Sequence, residues 1–68
     1  MQTLYIHHDR DLYEVKARRK DGQPNKILID EISLFQSGSI ATPKKWDELE
    51  ESVQNKIRNA VRERFSNE

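Results

Sequence analysis

The chain has 68 residues, twelve basic and twelve acidic, with a net charge of zero and no cysteine. At that length a single domain buries only about 60% of its unfolded surface, and neither disulfides nor thiolate-bound zinc can staple it. Residues 1–42 carry six bases and six acids, and so do residues 43–68, so the broad positive field used in non-specific nucleic-acid binding is absent.

Apolar residues make up 34% of the chain and charged residues 35%, a balance near the disorder boundary, so folding must rest on patterning rather than on bulk hydrophobicity. No apolar run approaches the roughly 18 residues of a membrane span. Met1-Gln2-Thr3 does not open a secretory signal. A cytoplasmic domain without membrane contact is expected.

Thr3-Leu4-Tyr5-Ile6-His7-His8 alternates, placing Leu4 and Ile6 on one face, which is the mark of a half-buried strand. Asp9-Arg10-Asp11 is polar and reverses the chain. From Leu12 to Arg19 the alternation returns: Tyr13, Val15 and Ala17 point one way, and Glu14, Lys16 and Arg18 the other. Asp21-Gly22 suits the positive φ of a tight hairpin turn, and Pro24, which cannot donate to a ladder, belongs in that loop. The third run, Lys26 to Gln36, changes phase. Ile27 and Ile29 share one face, whereas Leu28, Ile32 and Leu34 share the other; a bulge at Asp30-Glu31 brings Ile27, Ile29, Ile32 and Leu34 together. Ser37-Gly38-Ser39 reads as a break before the last element.

That last element reads as a helix. Thr42 suits an N-cap and Pro43 the first helical position. Trp46, Leu49, Val53, Ile57, Ala60, Val61 and Phe65 recur every three or four residues and line one face. Asp47, Glu48, Glu50 and Glu51 precede Lys56, Arg58, Arg62 and Arg64, an order that complements the helix dipole. It also suggests two helices packed antiparallel, acidic half against basic half. The expected fold is α+β: a three-stranded antiparallel β-meander (residues 3–8, 12–19 and 26–35) followed by one long C-terminal helix (43–65) across one sheet face. A helix of that length measures roughly 33 Å and should overhang the sheet at its Arg62–Phe65 end.

Candidate chemistry is sparse. His7, Asp9 and Asp11 share a face only if the chain stays extended, and a transition-metal site needs converging ligands from distant segments; neighbouring histidines at a strand end point to opposite faces instead. No metal and no cofactor are expected. Ser33, Ser37 and Ser39 have no histidine beside them to act as base, and two glycines cannot form a phosphate-binding loop. An enzyme is not expected.

A binding surface is. Tyr5, Leu12 and Leu28 fall on the face away from the core, and Lys16, Arg18 and Arg19 lie in the one basic cluster. Exposed apolar patches on small domains serve as docking surfaces, so these six residues are the expected partner-binding set. Another protein, which this domain regulates or inhibits, is the expected partner. The first alternative is nucleic acid held through Lys16, Arg18, Arg19, Lys20 and Lys26, since sheet ribbons do enter DNA grooves. The second is a structural homodimer. Trp46 fits equally a lid on the core and an interface anchor.

Overall fold

The computed structural model describes residues 1–36 and 40–67. The expected break at Ser37-Gly38-Ser39 lies outside the described residues. The fold is α+β, with four antiparallel strands in sequential order: β1 (Gln2–His8), β2 (Asp11–Lys20), β3 (Gln23–Phe35) and β4 (Thr42–Lys44). A short 3-10 turn (Trp46–Glu48) then leads into helix α1 (Glu51–Ser66), which crosses one face of the sheet.

The two hairpins close as their residues dictate. Asp9 takes φ 55 in the β1–β2 turn, a left-handed conformation that aspartate tolerates better than most side chains. Gly22 takes φ 76 in the β2–β3 turn, with open space where a Cβ would stand, so a side chain there would be strained by backbone conformation and not by crowding.

The phase change in the third run is resolved by a bulge. Lys16 opposes Glu31, yet Ala17 opposes Ile29, which leaves Asp30 as the extra residue. Ile27 and Ile29 therefore join Ile32 and Leu34 on the helix side, where both pack against the core. Pro24 does not lie in a free loop. The ladder runs from Arg19↔Ile27 to Lys20↔Gln23, so Pro24 falls within β3 at a second register shift that leaves it without a cross-strand partner. Lacking an N–H, it is compatible with such a site.

The C-terminal element departs from expectation at its start. Residues 42–50 are not α-helical, and a fourth strand occupies the place of the expected N-cap. Thr42, Pro43 and Lys44 pair with Leu34, Ser33 and Ile32. A residue before proline is pushed toward extended backbone, and an edge strand tolerates the missing proline N–H. The same Thr-Pro dipeptide thus satisfies strand and helix start alike, and pairing with β3 decides between them. Beyond it, the Glu48 amide donates to the Lys45 carbonyl (3.0 Å) and the Lys45 amide donates to Glu48 Oε1 (2.8 Å). This reciprocal pair closes the 3-10 turn.

Helix α1 has 16 residues, about 24 Å, instead of the expected 33 Å. The helix end is also tied to the sheet, where the Phe65 carbonyl accepts from Arg19 Nη2, while residues 20–26 of the β2–β3 hairpin are all exposed; the molecule measures 39 × 21 × 17 Å. Asp47, Glu48 and Glu50 lie before the helix, which removes the sorted acidic half that the antiparallel-helix arrangement required.

The core lies in a single layer between sheet and helix. Leu4, Ile6, Tyr13, Val15, Ala17, Ile32 and Leu34 face Leu49, Val53, Ile57, Val61 and Phe65. Each fully buried aliphatic side chain contributes roughly 1.5–3 kcal/mol before its ordering entropy is counted. Trp46 belongs to the margin of this core. It is half-buried and packed against it, its carbonyl accepts from Gln54 Nε2 (2.8 Å), and the Arg58 guanidinium lies 5.1 Å from its ring centre. Among the described residues no helix is long and apolar enough to cross a membrane.

Candidate interaction surface

Only one face of the sheet carries the helix. The register defines rows of side chains on the other: Thr3–Lys16–Glu31, Tyr5–Glu14–Ser33–Pro43 and His7–Leu12–Phe35. Tyr5 is 60% exposed, while Leu12, Leu28 and Phe35 are half-buried. Tyr5, Leu12 and Phe35 gather at one corner, with Pro43 at its margin.

Leu28 stands apart from that corner. It opposes Arg18, six residues along β2 from Leu12, which is about 20 Å of strand. The structure therefore brings Tyr5 and Leu12 together and leaves Leu28 at the hairpin end. Phe35 is the member that sequence reasoning missed. Its signal was present: once the bulge puts Ile32 and Leu34 inside, Ser33 and Phe35 must point out.

The basic cluster is largely engaged within the molecule. Arg18 Nε lies 3.0 and 3.2 Å from the two Asp30 carboxylate oxygens, and Lys16 Nζ lies 3.5 Å from Glu31 Oε2. Asp30 reaches Arg18 because it is the bulged residue. Arg19 projects to the helix side. Its Nη1 donates to the Pro24 carbonyl (2.7 Å), its Nη2 donates to the Phe65 carbonyl (2.9 Å), and its guanidinium lies 5.1 Å from the Phe65 ring centre. An arginine donating to the last carbonyls of a helix is a common C-terminal cap. Arg19 thus ties the hairpin to the end of α1, which is a structural role. Lys20 and Lys26 stand exposed at the hairpin tip.

At the other end of the sheet, His7 faces the open side and is exposed, whereas His8 lies toward the helix. The His8 Nδ1 is buried without a hydrogen-bond partner, and Nε2 lies 3.5 Å from Asp9 Oδ2. The turn at Asp9 and Arg10 breaks the extended alignment of His7, Asp9 and Asp11. Among the described residues no three histidine, cysteine or acidic side chains are placed to hold a metal ion. Tyr13 closes this end of the core. Burial raises its phenol above the ordinary value of 10.0, and the nearby Asp11 and Glu50 carboxylates raise it further.

Two grooves lie on the surface, one beside β3 and β4 and one beside the helix. One of about 490 Å³ runs beside the bulge, bordered by Ile27, Ile29, Lys45 and Trp46. The other, about 310 Å³, lies between the outer edge of β1 and α1, bordered by Leu4, Tyr5, Ala60, Glu63, Arg64 and Asn67. No protein-family model, curated protein or solved structure matches the chain.

Proposed function

We propose that this chain is a non-catalytic protein-interaction domain that regulates its partner by docking through the helix-free face of the sheet. The observation that carries this reading is the corner formed by Tyr5, Leu12 and Phe35. An exposed tyrosine and two half-buried apolar side chains lie on adjacent strands of the helix-free face, on a domain whose core is formed without them. Interfaces concentrate their binding energy in such aromatic and aliphatic anchors, set within a polar rim. Here the rim is the strip of Lys16–Glu31 and Arg18–Asp30 pairs. The partner surface this corner fits is apolar and nearly uncharged.

Internal pairing of Lys16 and Arg18 also supports a protein partner over nucleic acid, because a cation already matched to a carboxylate adds little to a phosphate-binding field. The test compares partner capture by the wild-type chain, by a Leu12→Lys/Phe35→Lys variant and by an Arg62→Glu control on the outer helix face. A protein retained by wild type and control and lost by the corner variant supports the reading. Capture that survives the corner substitutions overturns it. So does low-salt binding of duplex or single-stranded nucleic acid that disappears on neutralising Lys20 and Lys26.

A further inference from the structure

The two sheet edges are protected very differently. An unpaired strand edge templates pairing with another chain, and proteins blunt it with charge, proline, bulges or short strands. The β4 side uses all of these. Its edge strand has three residues with a central proline, and the stretch of β3 beyond it carries Pro24, Lys26, the Asp30 bulge and Glu31. The β1 side uses none. Gln2–His8 forms seven residues of regular ladder with no lysine, arginine, carboxylate, proline or glycine, and among the described residues no strand lies on the outer side of Thr3–His8.

The outer edge of β1 is also self-complementary. In an antiparallel pairing about a two-fold axis, opposed residues share a face. The register that uses the whole strand centres on Tyr5. Leu4 then opposes Ile6 of the second copy beneath the helices, and the two Tyr5 rings meet on the open side. That rotation keeps both helices on one face of the combined sheet and runs them antiparallel.

The flank of α1 turned toward this edge fits the same symmetry. Of the strands, α1 lies closest to β1, and Ala60 shares a groove with Tyr5. Lys56 lies four residues before Ala60 and Glu63 three residues after it. Both are exposed, and neither has an ion-pair partner among the described residues. Across a two-fold axis near Ala60, each Lys56 meets the other copy's Glu63, and the small Ala60 permits the 8–10 Å approach of packed helices. Arg64, on the same flank, is turned to Gln2, with 3.4 Å between its Nη1 and Gln2 Oε1.

From these two coincident complementarities we infer that the occupant of the β1 edge is a second copy of this chain. The product is a two-fold dimer with a continuous eight-stranded sheet and paired Lys56–Glu63 contacts across the helices. Tyr5 is shared with the proposed open-face corner, so the dimer is tested by its mass and by Lys56 and Glu63, which lie on the helix side, and not by partner capture. Sedimentation of the full chain across a concentration series into the high micromolar range tests it. A species of twice the 8.1 kDa chain mass is expected. Tyr5→Lys sets two like charges opposite one another at the axis and should abolish it, with far-ultraviolet circular dichroism unchanged because Tyr5 lies outside the core. Lys56→Glu should weaken the dimer on the order of tenfold through its two symmetric contacts, and Lys56→Glu with Glu63→Lys should restore it. A monomer throughout the range overturns the inference, as does a dimer indifferent to either substitution.

Discussion

Deleting a residue from the middle of a strand normally reverses every side chain beyond the deletion, but deleting Asp30 should not. Ile32 opposes Val15, Glu31 opposes Lys16 and Ile29 opposes Ala17, with Asp30 outside the ladder. Without Asp30 these pairs close into a regular ladder, and Ile27 and Ile29 keep the helix face. The loss is confined to the Arg18–Asp30 pair, whose side chains are 40% and 26% exposed. A pair so exposed is worth about 0.2–1 kcal/mol. Deleting Leu28 instead shortens the chain equally and cannot be absorbed this way. Keeping the bulge moves Ile27 to the open face and brings Lys26 opposite Arg19; abolishing it restores Ile27 but turns Asp30 toward the core and Ile29 outward. Either route exposes one half-buried isoleucine, removes Leu28 and misplaces a charge, about 2–3 kcal/mol in all. A domain of this size has roughly 3–10 kcal/mol of stability, so the two variants should differ clearly in urea midpoint, read by helical circular dichroism. Equal losses above about 2 kcal/mol for both deletions would refute the assignment of Asp30 as the surplus residue.

Arg19→Ala should cost about 1–2 kcal/mol, through two carbonyl hydrogen bonds and the contact with Phe65. Arg19→Lys should recover less than half of it, since an ammonium lacks the planar fork that spans both carbonyls. A thermal midpoint within about 2 °C of wild type for the alanine variant would contradict the clamp. In a Tyr5→Phe background, absorbance titration of the remaining tyrosine should give a midpoint above 10.0, because burial and then the Asp11 and Glu50 carboxylates raise the Tyr13 phenol. A folded value above the unfolded one favours the protonated phenol. Its contribution to stability is therefore complete below the unfolded value and fades as pH rises through the folded one. The urea midpoint should decline above pH 10.0, and a Tyr13 midpoint at or below that value would show the phenol in water.

The parts of the fold legible in the sequence are those where local periodicity and tertiary environment agree. Leu4 and Ile6 alternate with polar neighbours, as do Tyr13, Val15 and Ala17, because a one-sided sheet demands it. The phase change after Ile29 announces the bulge for the same reason. The start of the last element is different. Thr42-Pro43 serves a helix N-terminus and an edge strand equally well, and the segment that decides, Ile32–Leu34, lies outside any local window. The periodic spacing of Trp46 and Leu49 with Val53 was misleading in turn: a 3-10 turn brings both to the same core without being part of the helix.

The proposed interaction surface was harder to read than the fold, because a surface depends on register and a core depends mainly on periodicity. Tyr5 and Leu12 could be assigned to the open face from alternation alone. Their neighbour could not, since which residue of β3 stands beside Leu12 follows only from the pairing Leu12↔Phe35. Charge shows the same dependence more sharply. With an unbroken ladder Asp30 would oppose Ala17 and face the helix. The bulge instead delivers its carboxylate to Arg18, beside the Lys16–Glu31 pair. Two cations of the five-cation stretch, Lys16 and Arg18, thereby join a self-neutralised strip crossing the middle of the sheet, while Arg19 is turned to the helix end and Lys20 and Lys26 stand exposed at the hairpin tip. On the proposed reading, that strip separates Leu28 from the Tyr5, Leu12 and Phe35 corner and interrupts the apolar area of the open face. A large continuous patch would promote indiscriminate association; a bounded corner favours a partner whose anchors match it. The bulge therefore acts on both sides of the sheet, completing the core on one and confining the proposed docking surface on the other.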